Sequence, residues 1–290
     1  MGLRLKFNLV LIGVFAIGLA ACAVLSHRLL HENARAEVER NARLMMETAL
    51  AIRSYTVGQI KPHLDPMLAE RFLPQTVPAY AATETLNELR KNHPEYAYKE
   101  ATLNPTNPRD RASDWEADIV TSFRNADGTA ELTGERDTPT GRHMYIARPI
   151  RISNPACLAC HNSAASAPPT MVKVYGEANG FGWKINEIIG AQVVSVPMAV
   201  PVGNADRAFN TFMLSLLGVF VFVMLALNLM LEWLIIRPVA RMSAAADQVS
   251  TGDFSVPEFG DAGRDEVSVL GASFNRMRRS LETAMRMIDS

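Results

Sequence analysis

Two stretches of the chain are almost free of charge. Residues 7–25 are apolar apart from Asn8, and residues 208–231 carry no charged side chain and stay apolar through Ile236. Each is close to the ~20 residues an α-helix needs to cross a bilayer's hydrocarbon core, so each predicts a spanning helix. Over residues 29–60 the sequence is polar, with Val38, Met45, Ala49 and Ile52 recurring on one helical face. That spacing predicts that the first span continues as an amphipathic helix, ending near Lys61-Pro62 because proline disfavours helix in the residue before it. Recurrent prolines over 62–78 predict a loop, and residues 79–91 a helix with Leu86 and Leu89 inward. Residues 96–103 alternate as a strand, Asn104-Pro105-Thr106-Asn107-Pro108 forces a turn, and 110–123 reads as a helix. Further strands are expected over 130–134, after an Asp127-Gly128 turn, over 143–152 and over 188–196. Between residues 160 and 188, Pro168-Pro169, Gly176 and Asn179-Gly180-Phe181-Gly182-Trp183 predict an irregular wrap around something bulky. Helices first and strands later imply an α+β domain with an antiparallel sheet.

Beyond the second apolar run the period changes again. Pro238 stands where the first helical position tolerates a missing N–H. Val239, Met242, Ala246 and Val249 follow at spacings of three and four, the seam of a coiled coil. Gly252 and Pro257 interrupt the chain, and a second seam runs through Val267, Leu270, Phe274, Met277 and Leu281. Two short amphipathic helices with an irregular connector make half of a parallel four-helix bundle, which implies a homodimer.

Composition adds little except at cysteine. The 290 residues carry a formal net charge of −1, which gives no electrostatic reason to expect nucleic acid. Of three cysteines, Cys22 lies in the first apolar run and the other two belong to Cys157-Leu158-Ala159-Cys160-His161. C-x-x-C-H is the attachment signature of c-type haem: the two thiols add across the vinyl groups and the imidazole becomes the proximal ligand to iron. A zinc half-site would need two further nitrogen or sulfur ligands nearby. A redox dithiol would leave His161 without a role. One covalently attached haem c is therefore expected on Cys157 and Cys160, with iron bound by His161.

Arg4 and Lys6 precede the first span, and Arg237 and Arg241 follow the second. The positive-inside rule then puts both termini in the cytoplasm of a two-pass protein of the bacterial inner membrane. The intervening domain is periplasmic, in the compartment where haem c is attached. Leu19-Ala20-Ala21-Cys22 resembles a lipobox, in which Cys22 would be lipidated, but the apolar run continues past it and a second span follows. The expected organisation is a span at 7–25, a periplasmic sensor domain at 27–207, a span at 209–236 and a signalling linker at 237–290.

The tail resembles the HAMP linker of bacterial transmembrane receptors: Pro238 matches its opening proline, Asp265-Glu266 its acidic pair and Phe274-Asn275-Arg276-Met277 its F-N-x-M element. Ser268 departs from the glycine common there. Over residues 35–200, the stretches Tyr98-Lys99, Thr102 to Pro105, Pro149-Ile150, Cys157 to His161, Tyr175-Gly176 and Asn179 to Lys184 resemble periplasmic haem-c sensor domains with a PAS-like fold. The resemblance implies a five-stranded antiparallel sheet, flanking helices and one covalent haem upstream of a signalling module.

The iron's sixth ligand is open. His63, at the end of the long helix, is the first candidate; Met45 and Met46 on that helix come next, and His143 beside Met144 also qualifies. The position could also hold water or a gas such as NO, CO or O2. Lys99, Arg148 and Lys184 are candidate partners for haem propionates, and Phe181 and Trp183 for packing on the macrocycle. The expected function is a homodimeric receptor, not an enzyme, that senses redox state or a gas. It would pass the signal through HAMP; the sequence contains no kinase, cyclase or methyl-accepting region, so the output is expected from a cytoplasmic partner such as a histidine kinase or from a further module. The alternative is a membrane-anchored cytochrome for electron transfer, which leaves the HAMP-like tail without a role.

Overall fold

In the computed structural model, which describes residues 2–126, 128–260 and 263–288, the chain forms nine α-helices and four strands among the described residues. The helices are α1 (Leu3–Tyr55), α2 (Lys61–Leu64), α3 (Pro78–Arg90), α4 (Asp114–Asn125), α5 (Leu158–His161), α6 (Pro169–Tyr175), α7 (Ala199–Leu231), α8 (Arg237–Ser250) and α9 (Glu266–Ile288). The strands are β1 (Ala97–Thr102), β2 (Leu132–Thr138), β3 (Gly141–Arg151) and β4 (Ile188–Pro197). The chain divides into two units, Met1–Leu25 with Asn210–Ser290, and Ser26–Phe209.

The second unit is built on one antiparallel sheet in the order β1-β4-β3-β2. All four predicted strands form, within a few residues of the expected bounds; the fifth strand implied by the resemblance is absent among the described residues. Asp127 of the expected turn lies outside the described residues, and its neighbour Gly128 has φ +97°. Strand alternation gives the sheet two different faces. On one, Tyr98, Met144, Ile146, Val194 and Val196 pack under Val38, Ala42, Met45, Met46 and Ala49 of α1 and Ala82 and Leu86 of α3. On the other, Ala101, Ala147, Ala191 and Val193 receive Ile119, Val120 and Phe123 of α4. Three alanines let α4 approach closely, and fully burying side chains such as Phe123 or Ile146 stabilises by roughly 1.5–3 kcal/mol each.

Two expectations are corrected. The long helix does not stop at Lys61-Pro62. It passes through a π turn at Thr56–Ile60 into α2 and then a 3-10 turn at Asp65–Ala69, because Pro62 falls in the first turn of α2, where no N–H is required. The wrap between 160 and 188 is also not wholly irregular: Pro169 opens α6 and Gly176, at φ +79°, closes it. The breakers that suggested an irregular path there include start and stop signals.

In the first unit, α1 and α7 are each long and apolar enough to cross a membrane. The carboxamides of Asn8 and Asn228 bond each other reciprocally at 3.0 and 2.8 Å, and Phe15 stacks on Phe220 with ring centroids 4.6 Å apart. After a second π turn at Glu232–Ile236, α8 packs against α9 through Met242, Ala245 and Val249. Ala245 takes the inward place expected of Ala246. Asn275 is buried and pins the connector, donating to the Phe259 carbonyl at 2.7 Å and accepting from its N–H at 3.1 Å. Asp265 caps α9 by accepting from Ser268 N at 2.8 Å.

Candidate functional site

The C-x-x-C-H segment folds as a single helical turn. The Asn154 side chain accepts from Ala156 N at 2.9 Å and starts a 3-10 turn, Pro155–Cys157, that runs directly into α5. Cys157, Cys160 and His161 are thus spaced by three and four residues and share one face. Both cysteines are unpaired and half-buried. Burial pushes the Cys160 thiol up, with Lys61 opposing and Asp65 and Cys157 reinforcing the shift. Among the described residues no three His, Cys, Asp or Glu side chains converge to hold a bare metal ion.

His161 is held more tightly than its neighbours. Its Nδ1 lies 2.8 Å from the Gly180 carbonyl and 3.4 Å from Thr106 Oγ1. A carbonyl only accepts, so Nδ1 carries the proton and Nε2 keeps its lone pair, the arrangement typical of a metal-ligating imidazole. Burial lowers the His161 pKa, against the raising effect of the Gly180 carbonyl, and the ring stays neutral near pH 7. Trp183 stacks on it at 3.8 Å and 14°. The loop carrying Gly180 is sewn to the motif by Gly182 N to Asn162 O at 3.0 Å and Trp183 N to His161 O at 3.2 Å. From the other side, Asn104 accepts from Gly180 N at 3.1 Å and donates to Phe181 O at 3.2 Å. Gly180 has φ +84°, and a Cβ there would lie 2.1 Å from Thr106 Oγ1; only glycine fits.

Phe181 and Trp183 therefore belong to the loop that binds the motif, and Lys184 follows them, exposed, with its backbone N–H on Glu187. His63 is exposed on α2, the segment whose Lys61, with Asp65 just beyond it, acts on the Cys160 thiol. The other expected site residues lie elsewhere. Met45 and Met46 are core side chains beneath the sheet. Lys99 donates to Glu116 and to the Arg111 carbonyl, both at 2.7 Å. Arg148 is bound by Glu47 at 2.7 Å and Glu131 at 2.9 Å. Both of these cations are held by carboxylates of the chain itself. His143 is buried and holds Thr138 and the Glu95 carbonyl.

Sequence reading missed Arg53. It forms an ion pair with the buried Glu100, which also accepts from Tyr98 Oη at 2.8 Å, while Gln192 donates to that hydroxyl at 3.2 Å. Burial pulls the Arg53 pKa down, but Glu100, Tyr98 and Cys157 together outweigh it and the net shift is upward. Burial and the Glu100 carboxylate together push the Tyr98 phenol up. No local signal marks Arg53: it is one arginine in a charged helix. Asn104 and Gly180 stood out in the sequence only as parts of longer stretches, without a stated link to His161.

The family model described as Tll0287-like matches residues 31–197, and the HAMP domain model matches residues 230–283. Among curated proteins, the heme sensor protein HssS of Staphylococcus aureus strains JH9 and Newman is 33% identical over 88 residues, 30% of this chain and 19% of the relative. The chain thus spans about a fifth of the length of these curated relatives. Among solved structures, the cyanobacterial heme-protein Tll0287 is 17% identical, with a TM-score of 0.42 over 56% of this chain and 95% of that one.

Proposed function

The chain belongs to the Tll0287-like family and carries a HAMP domain, and from that premise we propose that it is a two-pass receptor with one haem c bound to Cys157 and Cys160. His161 is the proximal ligand. The observation that carries this reading is the Nδ1–H of His161 fixed on the Gly180 carbonyl, which leaves Nε2 free beside two unpaired thiols on the same turn. The haem fits these donors, since each thiol adds its S–H across a vinyl group without needing an oxidant. When bound, the haem would supply an iron whose oxidation state or gas ligand can change. Lys184, exposed beyond Trp183, is the remaining propionate candidate, and His63 the distal candidate retained. Asn104 and Gly180 orient the imidazole through the loop, and Trp183 shields one face of it.

A sensor domain joined to HAMP is a signalling receptor rather than a catalyst. The domains are assigned as spans at 7–25 and 209–236, a periplasmic sensor at 27–207 and HAMP at 237–290, with both termini cytoplasmic on the evidence of Arg4, Lys6, Arg237 and Arg241. The signal, redox or gas, passes along α1 and α7 to a HAMP dimer and on to a cytoplasmic partner. The test is a reduced-minus-oxidised spectrum of the full chain in membranes, repeated with carbon monoxide and nitric oxide, together with haem staining after denaturation. A c-type band and a stain that Cys157→Ser weakens are expected, with a spectral response to gas or to potential that alters signalling. Absence of covalent haem overturns the reading. A haem band that leaves signalling unchanged in every state would instead indicate electron transfer.

A further inference from the structure

Two of the residues expected at the haem, Lys99 and His143, lie together in a different place. They line a cavity of about 480 Å3 on the sheet face that α4 covers only in part, closed at its edge by α3. Ala101, Ala147, Ala191 and Val193 of that face lie beneath α4, whereas Lys99, Ser195, Arg136 and His143 line the space beyond Trp115. Its walls mix charged and hydroxyl side chains with apolar ones such as Trp115 and Val193.

The charges there are unequally satisfied. Lys99 is neutralised by Glu116 at 2.7 Å. Arg109 pairs with Glu84, lies 3.6 Å from Asp110 and covers the Tyr80 ring. Arg136 rests over the Trp115 ring at 4.0 Å, and neither it nor Arg90 has a carboxylate partner among the described residues. His143 is buried, its Nδ1 shared by Thr138 Oγ1 and the Gly141 carbonyl at 3.0 Å each. Two guanidiniums without a carboxylate partner line one concavity with the hydroxyls of Thr83, Thr140 and Ser195; of the acids in the same lining, Glu116 is taken by Lys99 and Asp110 lies beside Arg109, which leaves Glu95. The balance is a donor-rich surface for a small anion. Guanidinium and hydroxyl donors match carboxylate oxygens, and the volume is that of a small-molecule site.

We propose that this cavity is a second ligand site of the receptor, separate from the haem, that binds a small dicarboxylate between Arg90 and Arg136, with Trp115 as one wall. It needs no haem to form. It adjoins the haem motif's support through β1, where Lys99 faces the cavity and the next residue, Glu100, holds Arg53 on the opposite face.

The probes are succinate and L-malate, titrated by calorimetry into the full chain in detergent, with succinamide as the uncharged control. Saturable binding with a rise in melting temperature and a change in Trp115 emission is expected, absent in Trp115→Phe. Arg136→Gln and Arg90→Gln should each weaken binding by about ten-fold or more, Arg136→Lys by less, and Arg124→Gln, whose arginine pairs with Glu187 instead, not at all. The haem spectrum should be unchanged in every variant, and Cys157→Ser should still bind succinate. No saturable binding at tens of millimolar, equal binding of succinamide, or unchanged affinity in both Arg90→Gln and Arg136→Gln variants that melt like the parent would overturn the proposal.

Discussion

The His161 site and the HAMP tail are built on opposite plans. Around His161, three segments distant in sequence, the Asn104–Thr106 turn, the 157–161 turn and the Gly180 loop, converge on one imidazole. In the tail, contacts are local and few: α8 meets α9, Asn275 holds Phe259, and the rest of the apolar seam stays open, with Leu270 at 52% exposed and Met277 at 49%. A site that must hold one atom in one orientation is over-determined within a single chain. The tail leaves apolar surface uncovered, and the HAMP dimer proposed above would bury it.

The largest effect should come from removing the charge that supports the sensor. Arg53→Met strands the buried Glu100 carboxylate and should cost the sensor domain about 3 kcal/mol or more, seen as a lower melting temperature, while helical signal from an isolated Arg237–Ser290 peptide is untouched. Next, Gly180→Ala forces a Cβ against Thr106 at a positive φ. A loss of roughly 2 kcal/mol is expected, with a perturbed His161 environment in nuclear magnetic resonance spectra; a parent-like melt would show that the loop is not rigid. Asn275→Ala breaks two hydrogen bonds to the connector and should weaken the tail by about 1–2 kcal/mol, changing signalling output but not the haem spectrum, so a spectral change would deny the separation of the two regions.

The smallest effect is pH-dependent. Burial raises the Asp110 pKa to about 6, and Arg109 offsets only part of the shift. An acid whose folded pKa lies above its unfolded value loses stability as pH rises through the folded value. Asp110→Asn should therefore match the parent near pH 4 and melt higher above pH 6, by a margin equivalent to about 1 kcal/mol given partial exposure. A constant difference across that range would rule this out.

What could be read from the sequence was whatever is local. The two spans, the four strands and the C-x-x-C-H turn each announce themselves within a dozen residues, because period and motif are properties of neighbours. Asn104 and His161 are 57 positions apart, and nothing in either segment says that one clasps the loop holding the other. The carboxylate partners of Lys99 and Arg148, Glu116 on α4 and Glu47 on α1, were illegible for the same reason: they are chosen by packing. The π turns were invisible because apolar periodicity does not register one residue too many.

That extra residue has a consequence. Between α7 and Pro238, the turn at Glu232–Ile236 brings Arg237 to Glu232, five positions away, at 3.4 Å. A π turn is an α-helix holding a surplus residue, and absorbing or releasing one residue rotates everything downstream by about 100°. A helix so interrupted acts less like a lever than like a ratchet: it delivers whole clicks, and motions smaller than a click are not passed on.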